Sequence, residues 1–545
     1  MKHEQHVEKK LTLSGNLLEE RLLHFRHAAT GERIACTLPE LFIAMMQDQV
    51  RDFPTLRPHQ RHPWHAFLVQ LAAIALHRSG CSSPFITAHE WQTSLLALTP
   101  DNPDGAAWCL VSPVDRPAFM QAPEPSGSID SWKNCLVASD QLDMLVTSKN
   151  HDLKAARMLL GIPEEWVYAL ISLQTQEGFL GAGNYGISRM NGGFASRCAV
   201  GVHPNGKWGV RWQRDLGAVM RARSALVDSR GFMHAQGHAL VWTIPWSGDD
   251  SLSFASLDPW YIEICRRVRL LGSTKGLRAV VTGSRASRIA AKELNGITGD
   301  PWMPVDGVEA KALTIGGRGF DYKLAAELLL GQKFTKPIAQ MWMTSDDMEG
   351  AYLIAQGVVR GQGKTEGFHE QRIPVSRTIR KALLTQKTDE LAQIAEERIT
   401  AIAEVRKMLW VALAVLFGNG AKDEAGKDRD TTDVVKERAS LFAKPLESQC
   451  DAQFFPELIE EIEAADRNAT RSKWLLILAD RAESVLKLAF AAGPRSGQLR
   501  YRAQSAALGR LHSAMRGNKL PALAQALKTK KPVFTSIHEV IHEHA

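Results

Sequence analysis

The chain has 545 residues, of which 45% are hydrophobic and 23% are charged. This composition excludes wholesale disorder and predicts about two to four domains. A formal net charge of +7 permits a polyanionic partner without demanding one.

Seven cysteines without CxxC spacing argue against a disulfide framework or a cysteine zinc site and fit a reducing compartment. The polar first residues lack a signal peptide, and the apolar stretch Met408 to Phe417 is too short for a membrane span, so we expect a soluble cytoplasmic protein.

The pattern of apolar residues changes near residue 375. Helical spacing is present at 38–46 and 67–76, and from residue 81 onward Gly, Pro and Trp interrupt short apolar runs, which is typical of mixed α/β structure with long loops. From residue 376 onward, apolar residues recur every three to four positions and indicate amphipathic helices. These helices cover 402–416, 454–465, 475–489 and 499–514.

We therefore predict an α+β protein. A large, irregular, mixed α/β N-terminal domain precedes a C-terminal four-helix bundle. The predicted boundaries are 1–375 for the first domain, 376–530 for the bundle and 531–545 for a polar tail.

Glycine is concentrated in the segment Gly178–Gly193, GFLGAGNYGISRMNGG, which contains a GxGxxG match over 181–186. Such a loop exposes backbone N–H groups because no Cβ intervenes. A dinucleotide-binding fold also needs a helix directly after the loop, and Gly192-Gly193 breaks any helical pattern there. The dinucleotide interpretation is therefore disfavoured, and an ordinary structural loop or a loop facing a nucleic acid remain.

Two further segments resemble catalytic motifs but fail on register or position. Gly361–Gly367, GQGKTEG, is similar to a Walker A loop, but the position that needs the first glycine holds Val358. His538–His542 is a formal HExxH that lies too close to the end of the chain to build a zinc protease site. We therefore expect no ATP site, no metal site, no cofactor and no enzymatic activity.

Basic residues are clustered in two parts of the chain, and Trp208 and Trp212 interleave with the first cluster. Phosphate contact with stacking aromatics is one interpretation, and a solvated surface over a tryptophan core is the other. The clusters consist of Arg197, Lys207, Arg211, Arg214, Arg221 and Arg223, and of Arg266, Arg267, Arg269, Lys275, Arg278, Arg285 and Arg288.

Five strings, in this order along the chain, are similar to segments of one protein family. They are Asp115–Gln121, Ser148–Lys154, Gly178–Gly193, Gly299–Val305 and Arg360–Gly367, the last running on to Pro374. Together with the helical C-terminal part, their order and spacing resemble the large subunit, CasA, of type I-E CRISPR Cascade complexes.

The resemblance implies a non-catalytic subunit of an RNA-guided surveillance complex in antiviral defence. Such a subunit recognises the protospacer-adjacent motif in double-stranded DNA, helps to start strand separation and holds the 5′ end of the CRISPR RNA. Guide–target pairing reads the remaining sequence. The implied partners are CRISPR RNA, double-stranded target DNA, the other Cascade subunits and a helicase–nuclease acting in trans, with no membrane partner.

The resemblance also assigns residues to these tasks. A glycine loop can enter a minor groove about 6 Å wide, and a lysine can donate there to acceptors that both A·T orientations present. The motif-reading residues are Gly181, Ala182, Gly183, Asn184, Lys292, Gln362 and Gly363, with Gln362 as a wedge between base pairs. The RNA-binding residues are Ser148, Lys149, Asn150 and His151. Non-specific affinity is assigned to Arg197, Arg211, Arg214, Arg221, Arg223, Arg266, Arg267 and Arg269.

Two other interpretations stay open at this point. A nucleotide- or metal-dependent enzyme would rest on the near-miss motifs and would carry bound nucleotide or metal. A general nucleic-acid-binding scaffold outside CRISPR would lack an RNA with a repeat-derived handle.

Overall fold

The computed structural model describes residues 14–143, 161–190, 192–193, 195–273, 276–346, 350–361, 364–420 and 432–529. The chain divides into two compact units, residues 1–375 and 376–545. Ser148–His151, Gln362, Gly363 and the HExxH segment lie outside the described residues.

The helices of the first unit surround one long buried helix. The predicted helix at 38–46 is confirmed as α1, and it begins with a capping box in which Thr37 and Glu40 satisfy each other's backbone N–H groups. The second predicted helix begins earlier than its apolar run, and every residue from His62 to Leu76 is buried. The helices are α1 Leu38–Met46, α2 Arg61–Arg78, α3 Ala88–Ala97, α4 Pro163–Gln176, α5 Trp208–Arg230 and α6 Tyr322–Leu330.

The strands of the first unit form several small sheets rather than one large one. The larger sheets are three-stranded, in the orders β3-β2-β4, β11-β12-β6, β15-β14-β16 and β18-β17-β7. The strands are β1 Ser14–Asn16, β2 Leu23–His27, β3 Arg33–Cys36, β4 Val50–Asp52, β5 Cys109–Val111, β6 Asn134–Leu136, β7 Ala199–His203, β8 His238–Leu240, β9 Leu252–Ser253, β10 Leu257–Ile262, β11 Arg267–Ser273, β12 Gly276–Thr282, β13 Ile289–Ala290, β14 Val305–Asp306, β15 Lys311–Ala312, β16 Phe334–Thr335, β17 Tyr352–Gly361 and β18 Lys364–Pro374.

One long antiparallel hairpin, β17 with β18, crosses the first unit. Its register runs from Tyr352 opposite Pro374 to Gly361 opposite Lys364. The other edge of β17 pairs with β7, where Tyr352 lies opposite His203. The described part of the hairpin from Gly357 onward therefore extends beyond the residues of β17 that pair with β7.

Tryptophan supplies much of the core of the first unit. Trp64 on α2, Trp212 on α5 and Trp302 in the GDPWMPV string are each at most 1% exposed. The Trp302 indole N–H donates to Asp215 (3.2 Å), which also binds His65 on α2 (2.8 Å). This string therefore packs in the core, and its Trp is structural.

The second unit is helical in its described part, and the predicted bundle is confirmed. The helix predicted at 454–465 is longer than expected: it begins at Asp433 because small and apolar residues such as Ala439 and Cys450 line its inner face despite two internal prolines. Across the described ranges, no helix combines the length and the apolar character that crossing a membrane requires. The helices are α7 Arg377–Leu384, α8 Asp389–Phe417, α9 Asp433–Glu463, α10 Arg467–Ala489, α11 Gly497–Met515 and α12 Pro521–Thr529.

A buried charge cluster ties three bundle helices together. The guanidinium of Arg398 on α8 donates to Glu461 on α9 (2.7 Å) and lies 3.9 Å from the ring centroid of Trp474 on α10. Arg398 and Glu461 are 1% and 0% exposed, and burial lowers the pKa of Arg398 to about 10. Removing Glu461 leaves the buried guanidinium of Arg398 with the more distant Glu457 (3.7 Å) as its carboxylate partner, so its charge is poorly compensated.

We predict that Glu461→Ala destabilises the second unit by about 3–5 kcal/mol. The neighbouring Glu460 is exposed and forms only a long surface ion pair with Lys473, so Glu460→Ala should change stability by about 0.5 kcal/mol or less. Thermal unfolding followed by circular dichroism compares the two variants. Equal unfolding midpoints would show that the buried pair does not stabilise the bundle.

Candidate nucleic-acid interface

The glycine-rich segment leaves the end of α4 and projects a tight turn. Within the turn, the N–H of Asn184 donates to the carbonyl of Gly181 (3.0 Å), and Leu180 donates to the carbonyl of Asn184 (3.0 Å). Gly181 and Gly183 have φ angles of +116° and +84°, a conformation that side-chain-bearing residues rarely adopt. Ala182 and Asn184 are exposed. The predicted motif-reading loop is thus a glycine-dependent turn with its tip in solvent.

A buried ion pair holds the base of this turn. Glu177, the residue before the glycine-rich segment, pairs with Arg360 near the end of β17. Their side chains are 2% and 3% exposed. Burial raises the pKa of Glu177 above its usual value, while the charges of Arg360 and Arg266 oppose that rise. The pair joins the loop to the hairpin although 183 positions separate the two residues.

Two arginines fix the rest of the loop. Arg266 donates to the carbonyls of Gly178 (3.1 Å) and Tyr185 and so clamps both sides of the turn. At the far end, Arg189 donates to the carbonyl of Tyr261 (2.9 Å) with its guanidinium 4.0 Å from the ring centroid of that tyrosine. The turn is therefore held by buried side chains at both ends.

The glycines within the segment have different structural tasks. A Cβ on Gly178 would lie 2.3 Å from the carbonyl oxygen of Ala195, whereas one on Gly181 would meet nothing within 4 Å. The carbonyl of Gly183 accepts from the N–H of Ser284 (3.0 Å), which places a second exposed turn beside the first. Gly178 is therefore needed for close packing, whereas Gly181 and Gly183 are needed for the backbone conformation of the tip.

The structure places Lys292 in a short turn beside the same segment. This 3₁₀ turn, Lys292–Leu294, ends at Asn295 in the left-handed conformation. Gly296 follows it so closely against Met190 that an added Cβ would lie 2.8 Å from the carbonyl carbon of Met190. Lys292 is exposed, and its ammonium group has no ion-pair partner among the described residues.

The predicted wedge directly follows β17 in the sequence. Arg360, which anchors Glu177, lies two positions before Gln362, and Gly361 pairs with Lys364 across the turn. Gln362 and Gly363 themselves lie outside the described residues, as do Ser148, Lys149, Asn150 and His151. The described flanks show two links: Arg360 of β17 binds Glu177 ahead of the glycine turn, and Gly296, just after the Lys292 turn, lies against Met190 of the glycine-rich segment.

The look-alike motifs differ in structural context from the sites they resemble. The GxGxxG match follows helix α4 rather than a strand, and among the described residues no helix begins before α5. The Walker-like segment lies in an antiparallel hairpin and runs into β18, whereas a P-loop must run into a helix N-terminus. Within the described part of the chain, no three His, Cys, Asp or Glu side chains come together as metal ligands.

The arginine clusters require a correction. Phosphate contact needs an exposed cation, but most of these side chains are buried and already paired. Arg223 forms a bidentate pair with Asp258 (2.9 and 2.6 Å), and Arg197 donates to Asp300 (2.7 Å). The residues that are 8% exposed or less are Arg197, Arg211, Arg214, Arg223, Arg266 and Arg269.

Arg267 and Arg269, both in the second cluster, also have structural partners. Arg269 donates to the carbonyls of Ser112 (2.9 Å), Pro113 (2.8 Å) and Arg116 (3.0 Å), and burial lowers its pKa to about 10. Arg267 pairs with Glu124. The buried arginines therefore fasten loops of the first unit and cannot contact duplex DNA in this conformation. Of the eight residues assigned to non-specific binding, Arg221 is exposed, and of the other cluster members Arg278 and Arg285 are exposed as well.

The sequence analysis missed the residues that hold the interface together. Glu177 directly precedes the glycine-rich segment and Arg360 opens the fifth string, but neither residue type reveals which distant partner it binds. Adjacency to the two recognised segments was the signal that could have singled them out.

The fold is that of solved CRISPR-associated Cse1 proteins, also called CasA. The structure of Cse1 from Acidimicrobium ferrooxidans matches with a TM-score of 0.62 at 15% identity, over 95% of this chain and 99% of that chain. CasA (Cse1) from Thermus thermophilus matches with a TM-score of 0.58 at 14% identity, over 92% and 99% of the two chains. Cse1 from Thermobifida fusca matches with a TM-score of 0.57 at 12% identity, over 93% and 98%.

No protein-family model and no curated protein sequence matches the chain. At these identities the structural matches define the fold, and they confirm at that level the resemblance found in the sequence. The roles of individual residues rest on the geometry described above.

The difference in burial between two arginines on α5 predicts different effects on stability when each is replaced. Arg223→Gln should destabilise the first unit by about 3 kcal/mol or more, because it leaves the Asp258 carboxylate buried beside only a distant Arg78. Arg221→Gln, two positions away and exposed, should cost about 0.5 kcal/mol or less. Thermal unfolding of both variants decides the matter; an unchanged midpoint for Arg223→Gln would restore the surface interpretation.

Proposed function

We propose that this chain is the large subunit of a CRISPR RNA-guided surveillance complex of the Cascade type and that it reads a short motif in duplex DNA beside the target. The observation that supports the proposal most strongly is the set of buried contacts that ties the exposed glycine turn to β17, through Glu177 and Arg360, and the glycine-rich segment to the residues after Lys292, through Met190 and Gly296. The Cse1/CasA fold of the whole chain supports the same assignment.

The glycine turn and Lys292 recognise the motif. The tip Gly181–Asn184 offers small, exposed backbone groups that fit a narrow minor groove, and the unpaired Lys292 ammonium donates to groove acceptors. The buried anchors Glu177, Arg266 and Arg360 hold the turn in place before DNA arrives, so little ordering entropy opposes binding.

The end of the hairpin acts after the motif has been bound. Gln362 and Gly363 would insert between the first base pairs and start strand separation, with the unstacking cost offset by guide–target pairing. Because Arg360 ties the hairpin to the loop, motif contact and wedge insertion would be coupled mechanically.

The remaining tasks belong to the assembled complex. The segment Ser148–His151 would hold the 5′ end of the CRISPR RNA, other Cascade subunits would carry the guide, and a helicase–nuclease acting in trans would cut. The chain itself would have no catalytic activity. Co-purification with the products of neighbouring genes, followed by sequencing of the bound RNA, tests this part; absence of an RNA with a repeat-derived handle would contradict it.

We predict that Gly183→Ala and Lys292→Ala each weaken binding of the assembled complex to duplexes with the preferred motif by about 1–3 kcal/mol. Binding to random duplexes should change less, because it depends on phosphate contacts. Gly192→Ala places the same change at a second left-handed glycine of the segment, and Lys311→Ala removes a lysine already paired with Glu309. In titrations, each control variant should show the same change in affinity on duplexes with the motif and on random duplexes. If all four variants lost affinity equally on both duplex types, motif reading by this loop would be excluded.

We predict a different defect for Gln362→Ala. A wedge acts after docking, so initial binding should be retained while strand opening slows. A duplex whose first target base pairs are already mismatched should restore opening by Gln362→Ala and should leave the Gly183→Ala defect unchanged. Fluorescence of a base analogue in the first target positions measures opening; failure of the pre-melted duplex to rescue Gln362→Ala would remove the wedge assignment.

A further inference from the structure

A polar cavity of about 390 Å³ lies in the first unit, between β4, the first turns of α2 and α5, and the bases of β17 and β18. This volume falls within the range of small-molecule sites, about 300–1,000 Å³. The cavity lies towards the base of the hairpin: Tyr352, Ile354 and Gln356 line it, and Gln356 is four residues, about 13 Å of extended strand, from Arg360. It is therefore separate from the proposed motif-reading edge.

A buried arginine without a partner lies in this cavity. Arg211, on the first turn of α5, is 6% exposed and lines the cavity. Its guanidinium makes no hydrogen bond or ion pair with any residue that the structure describes, and its Nε atom is fully buried. Asp215, the carboxylate one helical turn away, is already bound to His65, Arg214 and Trp302.

This arrangement is costly for the protein alone. A buried charge that lacks a partner destabilises the fold, and burial lowers the pKa of Arg211. Every other arginine of the first cluster that is buried has a carboxylate partner. An anion that enters the cavity would supply the missing partner.

Most of the other charged side chains that line the cavity are paired with one another. Arg26 pairs with Asp52 (3.2 Å) and Arg372 with Glu370 (2.9 Å), so these four side chains largely balance one another. Arg61, exposed at the rim, has no ion pair within the described ranges. Arg211 in the floor is compensated by Asp215 only without direct contact, and Arg61 at the rim has no ion pair among the described residues, so both cations can accept a direct anionic partner from the cavity.

The cavity also has features that a simple anion would not use. Half-buried Trp208 lines it and offers a planar apolar surface. Gln356 is 3% exposed and donates its amide N–H to Glu370 (2.6 Å), which leaves its buried Oε1 without a donor. An indole face and a free acceptor match a nucleobase or a ribose hydroxyl.

We propose that this cavity binds the phosphate of a nucleotide between Arg211 and Arg61, with its nucleoside against Trp208 and Gln356. The ligand is either a free mononucleotide or the phosphorylated end of a nucleic-acid strand; both present the same chemistry. The site does not require the motif-reading function, because no residue is shared between the two.

Calorimetric titration of the full chain in phosphate-free buffer tests this site with AMP, adenosine and inorganic phosphate. AMP should bind at least about tenfold more tightly than either fragment, because only the nucleotide uses both the arginines and Trp208. A 5′-phosphorylated tetranucleotide and its 5′-hydroxyl counterpart then separate a strand end from a free nucleotide. No binding of AMP, or phosphate binding as tight as that of AMP, would overturn the nucleotide assignment.

The decisive variant is Arg211→Met, with Arg221→Met as its control on the same helix outside the cavity. Arg211→Met should weaken AMP binding at least about tenfold, and the ligand-free variant should melt at or above the temperature of the parent chain because a buried unpaired charge has been removed. Equal AMP affinity in the two variants would overturn the proposal. If Arg211→Met does not fold, Arg61→Met at the rim tests the same claim, and an unchanged AMP affinity there would also overturn it.

Discussion

The buried ion pair between Glu177 and Arg360 is the contact on which the candidate interface depends. It fastens the first residue ahead of the glycine turn to the strand that leads into the hairpin turn. Desolvating two charges costs free energy that the pairing only partly returns, so the pair is better understood as fixing position than as adding stability. Its effect is to make two loops, far apart in sequence, behave as one element.

Arginine has this fastening role throughout the first unit. Arg266 and Arg269 donate to loop carbonyls, and Arg214 and Arg223 hold carboxylates between helices and strands. In a unit built from many small sheets and long connections, few backbone carbonyls accept hydrogen bonds within regular β-ladders, so the others need different donors. The planar, multidentate guanidinium satisfies several of them at once and remains charged when buried. Arg211 departs from this pattern, because it makes no direct ion pair with any described residue, and this observation motivates the proposed nucleotide site.

Periodicity predicted some of the regular parts of the fold, but not the first-unit helices α3, α5 and α6. The helix at 38–46 and the C-terminal bundle follow from apolar spacing alone, and the extension of α9 to Asp433 was missed because its inner face is made of small residues such as Ala439. The family resemblance identified the glycine turn and Lys292, and the structure brings their flanks together. Whether these residues read DNA stays a prediction.

The arginine clusters show the limit of reading charge from sequence. Arg221 and Arg223 are two positions apart and chemically identical, yet one faces solvent and the other binds Asp258. Only the three-dimensional position of the partner carboxylate separates them, and that carboxylate lies 35 positions away. The same reasoning applies to Glu177 and Arg360, whose pairing no local pattern predicts.

Hydrogen–deuterium exchange of the assembled complex, with and without duplex DNA, tests most directly whether these joined loops read the flanking motif. Peptides covering 178–186 and 289–296 should exchange more slowly on a duplex with the motif than on a duplex of equal length without it. Peptides covering the exposed β12 residue Arg278 should not distinguish the two duplexes. Protection that is equal on both duplexes, or that is absent from the glycine turn, would contradict the proposed interface.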